Sequence, residues 1–149
     1  MLLKCFRQEY DRQSRFLMSD HIFKLIENGE EERLRWFLSS SVKCEGRNSL
    51  GDTPLHCAVQ KGRTETVQLL LQRHVDVNVT GYNKSTPLHD AVTFEVGIKI
   101  VRLLLASGAD CNAKDMLQRT PLHYAAKYEY VEVAVLLIRA GASLDITDW

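Results

Sequence analysis

Three histidines recur at nearly even intervals and are the first candidates for chemistry in this sequence. They are His56, His89 and His123, and Cys57 follows the first of them. Imidazole nitrogens bind metals or relay protons, and a Cys–His pair can form a nucleophile and its base. Histidines on neighbouring stacked helices would lie about 10 Å apart, too far to share a metal with bonds of about 2 Å. Adjacent helical residues also point in different directions, so we interpret these histidines as structural.

The motifs of common enzyme classes do not occur in the sequence. There is no phosphate-binding Gly-x-x-x-x-Gly-Lys, no zinc-binding His-Glu-x-x-His and no Gly-x-Ser-x-Gly. We therefore expect no enzymatic activity, no metal, no cofactor and no small-molecule substrate.

Basic and acidic residues number 19 each, whereas a nucleic-acid-binding protein shows a basic surface. No apolar run approaches the roughly 18 residues of a membrane span, so we expect neither nucleic acid nor membrane as a partner.

The cysteines indicate a reducing compartment. Their positions are Cys5, Cys44, Cys57 and Cys111, without a Cys-x-x-Cys pair. The N-terminus also lacks the apolar core of a secretory signal. We expect four reduced thiols in an intracellular protein, cytoplasmic or nuclear.

The histidines belong to an internal repeat that must position them. The tetrapeptide Thr-Pro-Leu-His begins at Thr53, Thr86 and Thr120, with separations of 33 and 34 residues. A small residue follows each copy, then a polar break and a second apolar segment, and the last two copies end in Gly108 and Gly141. Each copy therefore predicts two short antiparallel helices, which cannot bury their apolar faces unless a neighbouring copy covers them.

Each residue of the tetrapeptide has a mechanical role at the start of the first helix. Threonine is a good N-cap, proline fits the first helical position, and glycine suits the left-handed residue after the second helix. The residues that we expect to build the scaffold are Thr53, Pro54, His56, Thr86, Pro87, His89, Thr120, Pro121, His123, Gly108 and Gly141.

A period near 33 residues with Thr-Pro-Leu-His-x-Ala strongly resembles the ankyrin repeat. The resemblance is clear from about residue 48 to residue 148 and implies an all-α repeat solenoid. Pairs of helices would stack on one side, and short β-hairpin loops would project from the other. We divide the chain into an N-terminal tail or extra helix (1–19) and an ankyrin domain (20–149). Its repeats span about 20–47 (degenerate), 48–80, 81–114 and 115–147.

The degenerate first repeat is expected to close one end of the stack. We predict its helices at residues 21–27 and 31–38, with Phe23, Leu25, Ile26, Leu34 and Trp36 capping the core. Phe6, Tyr10, Phe16 and Leu17 would form a further helix or a loose tail. At the other end no polar capping helix follows. We therefore expect either a fragment of a longer protein, which we favour, or a partner that covers the last repeat.

Several positions depart from the repeat pattern. Lys84 and Gln118 replace the loop glycine Gly51, and Glu129 replaces Gly62 between the helices. In the second clear copy the loop at residues 93–99 is one residue longer, and Gly97 is displaced. Its apolar residues, Phe94 and Ile98, either tuck under the loop or form an exposed patch. His74 stands where two other copies have glycine, and we predict a left-handed backbone there.

The variable positions between the scaffold residues predict a binding surface. Ankyrin architecture implies that the hairpin loops and the exposed side of each first helix form one concave face. Aromatic residues, Met and Arg are enriched in interfaces, so Tyr82, Arg119, Tyr124 and Tyr128 are the expected anchors. The full set of expected partner-binding residues is Asp52, Cys57, Gln60, Lys61, Tyr82, Ser85, Asp90, Phe94, Met116, Arg119, Tyr124, Lys127 and Tyr128. Leu50 and Thr93 lie beside them in the pattern.

The leading functional hypothesis is a non-catalytic module, an adaptor or inhibitor, that binds another protein through its concave face. An alternative is a structural N-terminal segment of a larger ankyrin protein. The segment from Val77 to Ala91 also resembles a repeat of ankyrin arrays that read histone tails. Gly51-Asp52 before Thr53 is similar to ankyrin inhibitors of Rel-family transcription factors. In the histone-reading subfamily, however, Trp and Glu stand where this chain has Asp52 and Cys57, so the subfamily stays open.

Overall fold

The computed structural model describes residues 14–39, 44 and 46–144, with side chains from residue 20 onward. Helices and turns make up this part of the chain, and no strand occurs in it. The α-helices are α1 (Ser14–Asn28), α2 (Glu31–Ser39), α3 (Pro54–Gln60), α4 (Thr64–Leu71), α5 (Pro87–Thr93), α6 (Ile98–Ala106), α7 (Pro121–Lys127) and α8 (Val131–Arg139), and a short 3-10 helix (Tyr82–Lys84) lies between α4 and α5. The expectation of an all-α repeat solenoid is therefore confirmed.

The helices form two rows because each repeat contributes one helix to each row. In the inner row α1, α3, α5 and α7 contact one another in order, and in the outer row α2, α4, α6 and α8 do the same. The core lies between the rows and includes Leu55, Leu70, Leu88 and Leu104, all essentially buried. No helix in the described ranges is long and apolar enough to cross a membrane.

Each inner helix after the first begins where the sequence predicts. Thr53, Thr86 and Thr120 are extended N-cap residues, and a proline follows each of them. Proline fits there because its fixed φ is helical and its missing N–H would be unpaired in any case. The outer helices α6 and α8 are followed by Gly108 and Gly141, with φ of 88° and 97°.

The first repeat differs from the prediction in two ways. Helix α1 begins at Ser14 rather than near His21, since neither proline nor glycine interrupts residues 14–28. Trp36 is 64% exposed, so its expected place in the cap is wrong. Phe37 and Leu38 are buried in its place beside the expected Leu34, because positions i, i+3 and i+4 share one helix face and position i+2 does not.

The other expected cap residues, Phe23, Leu25 and Ile26, are buried with Leu34. Phe6 and Tyr10, from the proposed N-terminal helix or tail, lie outside the described residues, as do the side chains of Phe16 and Leu17.

Three turns project beside the inner helices, and we call them finger 1 (48–52), finger 2 (81–85) and finger 3 (115–119). Each has the hydrogen bonds of a hairpin turn without strands. In finger 2, for example, the Gly81 N–H donates to Ser85 O at 2.8 Å and the Ser85 N–H donates to Tyr82 O at 2.9 Å. Lys84 and Gln118 adopt the left-handed backbone of Gly51, with φ of 57° and 59°.

The loops between paired helices correct the interpretation of Gly97. Glu95 and Glu129 hold the left-handed position of Gly62, with φ of 51°, 59° and 64° in that order. Gly97 is instead an inserted residue directly before α6, with its own φ of 89°. Phe94 is 54% exposed, so this residue is not tucked under the loop. His74 has a φ of 55°, which confirms its predicted left-handed backbone.

Candidate protein-binding groove

The repeated histidines connect each inner helix to the next finger. The Thr86 N–H donates to Nδ1 of His89 at 3.2 Å, and Nε2 of His89 lies 3.0 Å from Arg119 O. Since Nδ1 accepts, Nε2 carries the proton and donates to the carbonyl. His56 makes the equivalent contact with Ser85 O at 3.1 Å. Burial lowers the pKa of His89, which keeps this imidazole neutral.

The burial and hydrogen bonds of these histidines agree with a structural role. His56 and His89 are buried, and both of their ring nitrogens have partners within the scaffold. In the described part of the chain, no group of three or more His, Cys, Asp or Glu side chains is arranged to hold a metal ion.

Three aspartates lie where the fingers meet the inner helices. Asp52, Asp90 and Asp115 are only 2%, 5% and 5% exposed. Gln60 connects the first two, because its Nε2 donates to Asp52 Oδ2 at 3.0 Å and to Asp90 Oδ2 at 2.8 Å. Ser85 Oγ donates to Asp90 Oδ1 at 2.6 Å. One amide thus holds two buried carboxylates from neighbouring repeats.

Finger 2 approaches Asp52 closely enough to require glycine. The Tyr82 N–H donates to Asp52 Oδ1 at 2.8 Å. A Cβ atom on Gly81 would lie 2.3 Å from the same oxygen and 2.9 Å from His56 Nε2, well inside van der Waals contact. Gly81 therefore permits the backbone of finger 2 to lie against the Asp52 carboxylate.

Asp90 and Asp115 have carboxyl pKa values shifted in opposite directions. Burial raises the pKa of Asp90, and the hydrogen bonds from Ser85 and Gln60 only partly oppose it. At Asp115 burial also acts to raise the pKa, but hydrogen bonds from Tyr124, Arg119 and Leu117 outweigh it, so the net pKa is lowered. Ionisation of Asp90 therefore destabilises the folded state, whereas ionisation of Asp115 stabilises it.

The substitution Asp90→Asn tests the cost of the buried charge. The folded-state pKa of Asp90 lies above its ordinary value near 3.8. As pH rises through the interval above that value, the folded state binds more protons than the unfolded state, and stability falls. We expect the free energy of unfolding of the wild type, relative to Asp90→Asn, to decrease as pH rises from below 3.8 to neutrality. Urea unfolding of both proteins across that range measures it, and a constant or rising difference would contradict the assignment.

A cavity of about 350 Å³ opens between the fingers and the inner helices α3, α5 and α7. We call it the concave groove. The buried carboxylates form its floor, and exposed apolar side chains surround them. Its lining consists of Leu50, Asp52, Gln60, Tyr82, Asn83, Ser85, Asp90, Thr93, Phe94, Asp115, Met116, Leu117 and Tyr124.

An aromatic cluster extends from the groove along α7. The Tyr124 hydroxyl donates to Asp115 Oδ2 at 2.6 Å. The Arg119 guanidinium lies 5.8 Å from the centre of the Tyr124 ring, and the Tyr128 ring stacks near Tyr124 with centroids 6.4 Å apart. Lys127 Nζ lies 5.3 Å from the Tyr128 centroid. These side chains present a half-exposed surface beside the groove.

The structure brings together most of the sequence-predicted binding residues. Those that line the groove are Asp52, Gln60, Tyr82, Ser85, Asp90, Phe94, Met116 and Tyr124. Arg119, Lys127 and Tyr128 lie in the adjacent aromatic cluster, and Lys61 is exposed after α3.

Cys57 differs from the expectation of a binding residue. It is 6% exposed, and Asn48 Nδ2 lies 3.5 Å from its sulfur. Burial raises the pKa of its thiol to about 12. Cys57 belongs to the hydrophobic core and does not line the concave groove.

The sequence interpretation missed Asn83, Asp115 and Leu117 in the groove. Asp115 carried a signal, because Asp and Asn commonly accept backbone N–H groups at the start of a turn. Its Oδ1 accepts from the Leu117 and Arg119 N–H groups at 2.8 and 2.9 Å, just as Asn48 Oδ1 accepts in finger 1. Ile98 lies elsewhere, in a second cavity of about 320 Å³ between the loops that precede α6 and α8.

The chain is similar to segments of two much longer proteins. It is 50% identical over 42 residues to the human transient receptor potential cation channel subfamily A member 1, covering 28% of this chain and 4% of the relative. It is 40% identical over 68 residues to the rat protein phosphatase 1 regulatory subunit 12A, covering 42% of this chain and 7% of the relative. The chain thus spans less than a tenth of the length of either protein.

The repeat period, the paired helices and the fingers agree with matches to two family models. A family model described as ankyrin repeats in three copies matches residues 22–115. A second, described as ankyrin repeats in many copies, matches residues 97–138. Ankyrin repeats generally mediate protein–protein interaction and are generally non-catalytic. The chain belongs to the ankyrin repeat family.

Proposed function

We propose that this chain is a non-catalytic adaptor or inhibitor that binds an intracellular partner protein in its concave groove. The observation that carries the proposal is the set of large apolar side chains exposed around one cavity. Five of them are between 54% and 60% exposed, namely Leu50, Tyr82, Phe94, Met116 and Leu117. Apolar side chains that converge on one concave site favour a binding surface over scattered surface hydrophobics.

The rigidity of the groove supports the same proposal. Finger 3 is joined to finger 2, since the Met116 N–H donates to Asn83 O at 2.8 Å. Arg47 Nη1 connects finger 1 to the residue before finger 2, because it donates to Gly51 O and to Thr80 O, each at 2.6 Å. A surface held in place by such bonds loses little conformational entropy on binding. The name of one similar protein, a phosphatase regulatory subunit, is compatible with a regulatory role of this kind.

Alanine substitutions at the groove rim test this proposal. Tyr82→Ala and Phe94→Ala each remove an exposed aromatic side chain from the groove without opening the core. We expect each substitution to reduce the affinity for the partner by about tenfold to thirtyfold, as is typical of aromatic hot spots. The partner would be recovered by affinity capture with the wild-type chain, identified by mass spectrometry, and titrated by calorimetry.

Trp36→Ala provides the matched control, because Trp36 is equally exposed, at 64%, but lies on the outer helix α2. Its affinity should equal that of the wild type. Equal losses for all three variants, or no loss at the groove, would refute binding through this face. Hydrolase or transferase activity in the purified protein would refute the non-catalytic role.

A further inference from the structure

The concave groove carries negative charge that no neighbouring cation balances. Three of its lining residues are aspartates, and none is Lys, Arg or His. Within the described ranges, no basic nitrogen lies within 4.0 Å of these three carboxylates, the ion-pair limit. The whole chain has equal numbers of basic and acidic residues, so this local excess is a property of the groove and not of the composition.

Arg119, beside the groove, does not satisfy this charge. The Arg119 guanidinium lies over the Tyr124 ring rather than against the floor of the groove. Asp52 and Asp90 instead accept only neutral hydrogen bonds, from the shared Gln60 amide, the Tyr82 N–H and Ser85 Oγ, and burial raises the pKa of Asp90. Neutral hydrogen bonds compensate buried charge less well than an opposite charge does. A cation brought by a partner would therefore gain interactions that the free protein lacks.

The apolar rim determines what kind of cation fits. Lysine and arginine have an apolar stem and a charged end, which match a groove with an apolar rim and a carboxylate floor. Tyr82 and Phe94 line the same cavity, and aromatic rings attract cations. A purely apolar side chain would remove water from the carboxylates without replacing its hydrogen bonds. An acidic one would be repelled.

We propose that the partner inserts a lysine or arginine side chain, flanked by apolar residues, between Asp52, Asp90 and Asp115 in the concave groove. This inference rests on the proposed function, because it names the chemistry of the segment that the groove binds. The stem contacts the apolar rim, and the charged end donates hydrogen bonds to the carboxylate floor. Asp90 is central to the recognition, since it is buried beside Asp52 and belongs to the middle of the three inner helices that face the groove.

The inference can be tested by selection from a displayed library of random peptides. A peptide length on the order of 12 residues suits a segment that spans the groove. We expect the enriched peptides to contain Lys or Arg next to apolar residues. A selected peptide should bind Asp90→Asn about tenfold more weakly than the wild type, the usual effect of losing one charge-assisted hydrogen bond. Replacing its Lys or Arg by Gln should cause a similar loss in the wild type and little further loss in Asp90→Asn. Glu132→Gln, on the exposed side of α8, should bind like the wild type.

The outcomes separate this inference from the proposed function. Enriched peptides that lack basic residues, but still lose affinity with Tyr82→Ala, would overturn the inference and leave groove binding intact. Peptides or a captured partner insensitive to both Tyr82→Ala and Phe94→Ala would overturn the proposed function itself. Thermal melting checks that Asp90→Asn is folded, and Asp52→Asn gives a second neutral variant with the same expectation. Unchanged affinity of the selected basic peptide for both neutral variants would overturn the inference.

Discussion

Replacing His89 by alanine should lower the free energy of unfolding by about 3 kcal/mol. The change removes the acceptor for the Thr86 N–H and the donor to Arg119 O, at 3.2 and 3.0 Å. It also leaves a void in place of a side chain that is 1% exposed and that contacts the edge of Tyr124. Because the Arg119 carbonyl belongs to finger 3, we expect the loss to loosen the third repeat from the fourth.

His123→Ala is the matched control for this prediction. His123 accepts from the Thr120 N–H at 3.0 Å and lies in the first turn of α7, the last inner helix of the described chain. We expect a loss of about 1 kcal/mol, typical of an N-cap interaction alone. Urea unfolding with equal slopes for both variants measures the difference. Equal losses would show that the contact between repeats contributes nothing.

The second large effect is expected from Leu104→Ala in helix α6. Leu104 is fully buried, and α6 packs against both α4 and α8 of the neighbouring repeats. Removing its side chain leaves a cavity between repeats, and such substitutions cost about 2–5 kcal/mol. We expect about 4 kcal/mol, a large part of the stability of a domain of this size, read from the urea midpoint.

Ile138→Ala in α8 is the comparison for Leu104→Ala, because Ile138 is of similar size but 45% exposed. Its loss should be about 1 kcal/mol or less. If the order of the two effects were reversed, the assignment of α6 to the interior of the outer row would be wrong.

The sequence was most informative where one repeat alone determines the local structure. The Thr-Pro-Leu-His copies predicted the starts of α3, α5 and α7, since capping and proline preference act within one turn of helix. The same local logic predicted the left-handed backbone at His74. The concave face, by contrast, was implied by the resemblance to ankyrin repeats, and the structure places Tyr82 and Tyr124 in the groove.

Prediction was weakest where residues of different repeats meet. Gln60 contacts Asp90 of the next repeat, and neither residue type alone indicates that pairing. Cys57, like Asp90 and Tyr124, directly follows the histidine of its repeat. Cys57 is nevertheless buried, whereas Tyr124 is partly exposed. The expected burial of Trp36 was wrong because Trp36 lies two positions after Leu34, off the helix face that Leu34, Phe37 and Leu38 share.

Hydrogen exchange of the wild-type chain with and without its captured partner tests the central claim most directly. If the partner occupies the concave groove, the amides of finger 2 and finger 3 (81–85 and 115–119) should exchange more slowly in the complex. The amides of the outer helices α4 and α6 should exchange at rates unchanged by binding. Protection confined to α4 and α6, with none in the fingers, would contradict binding through the groove.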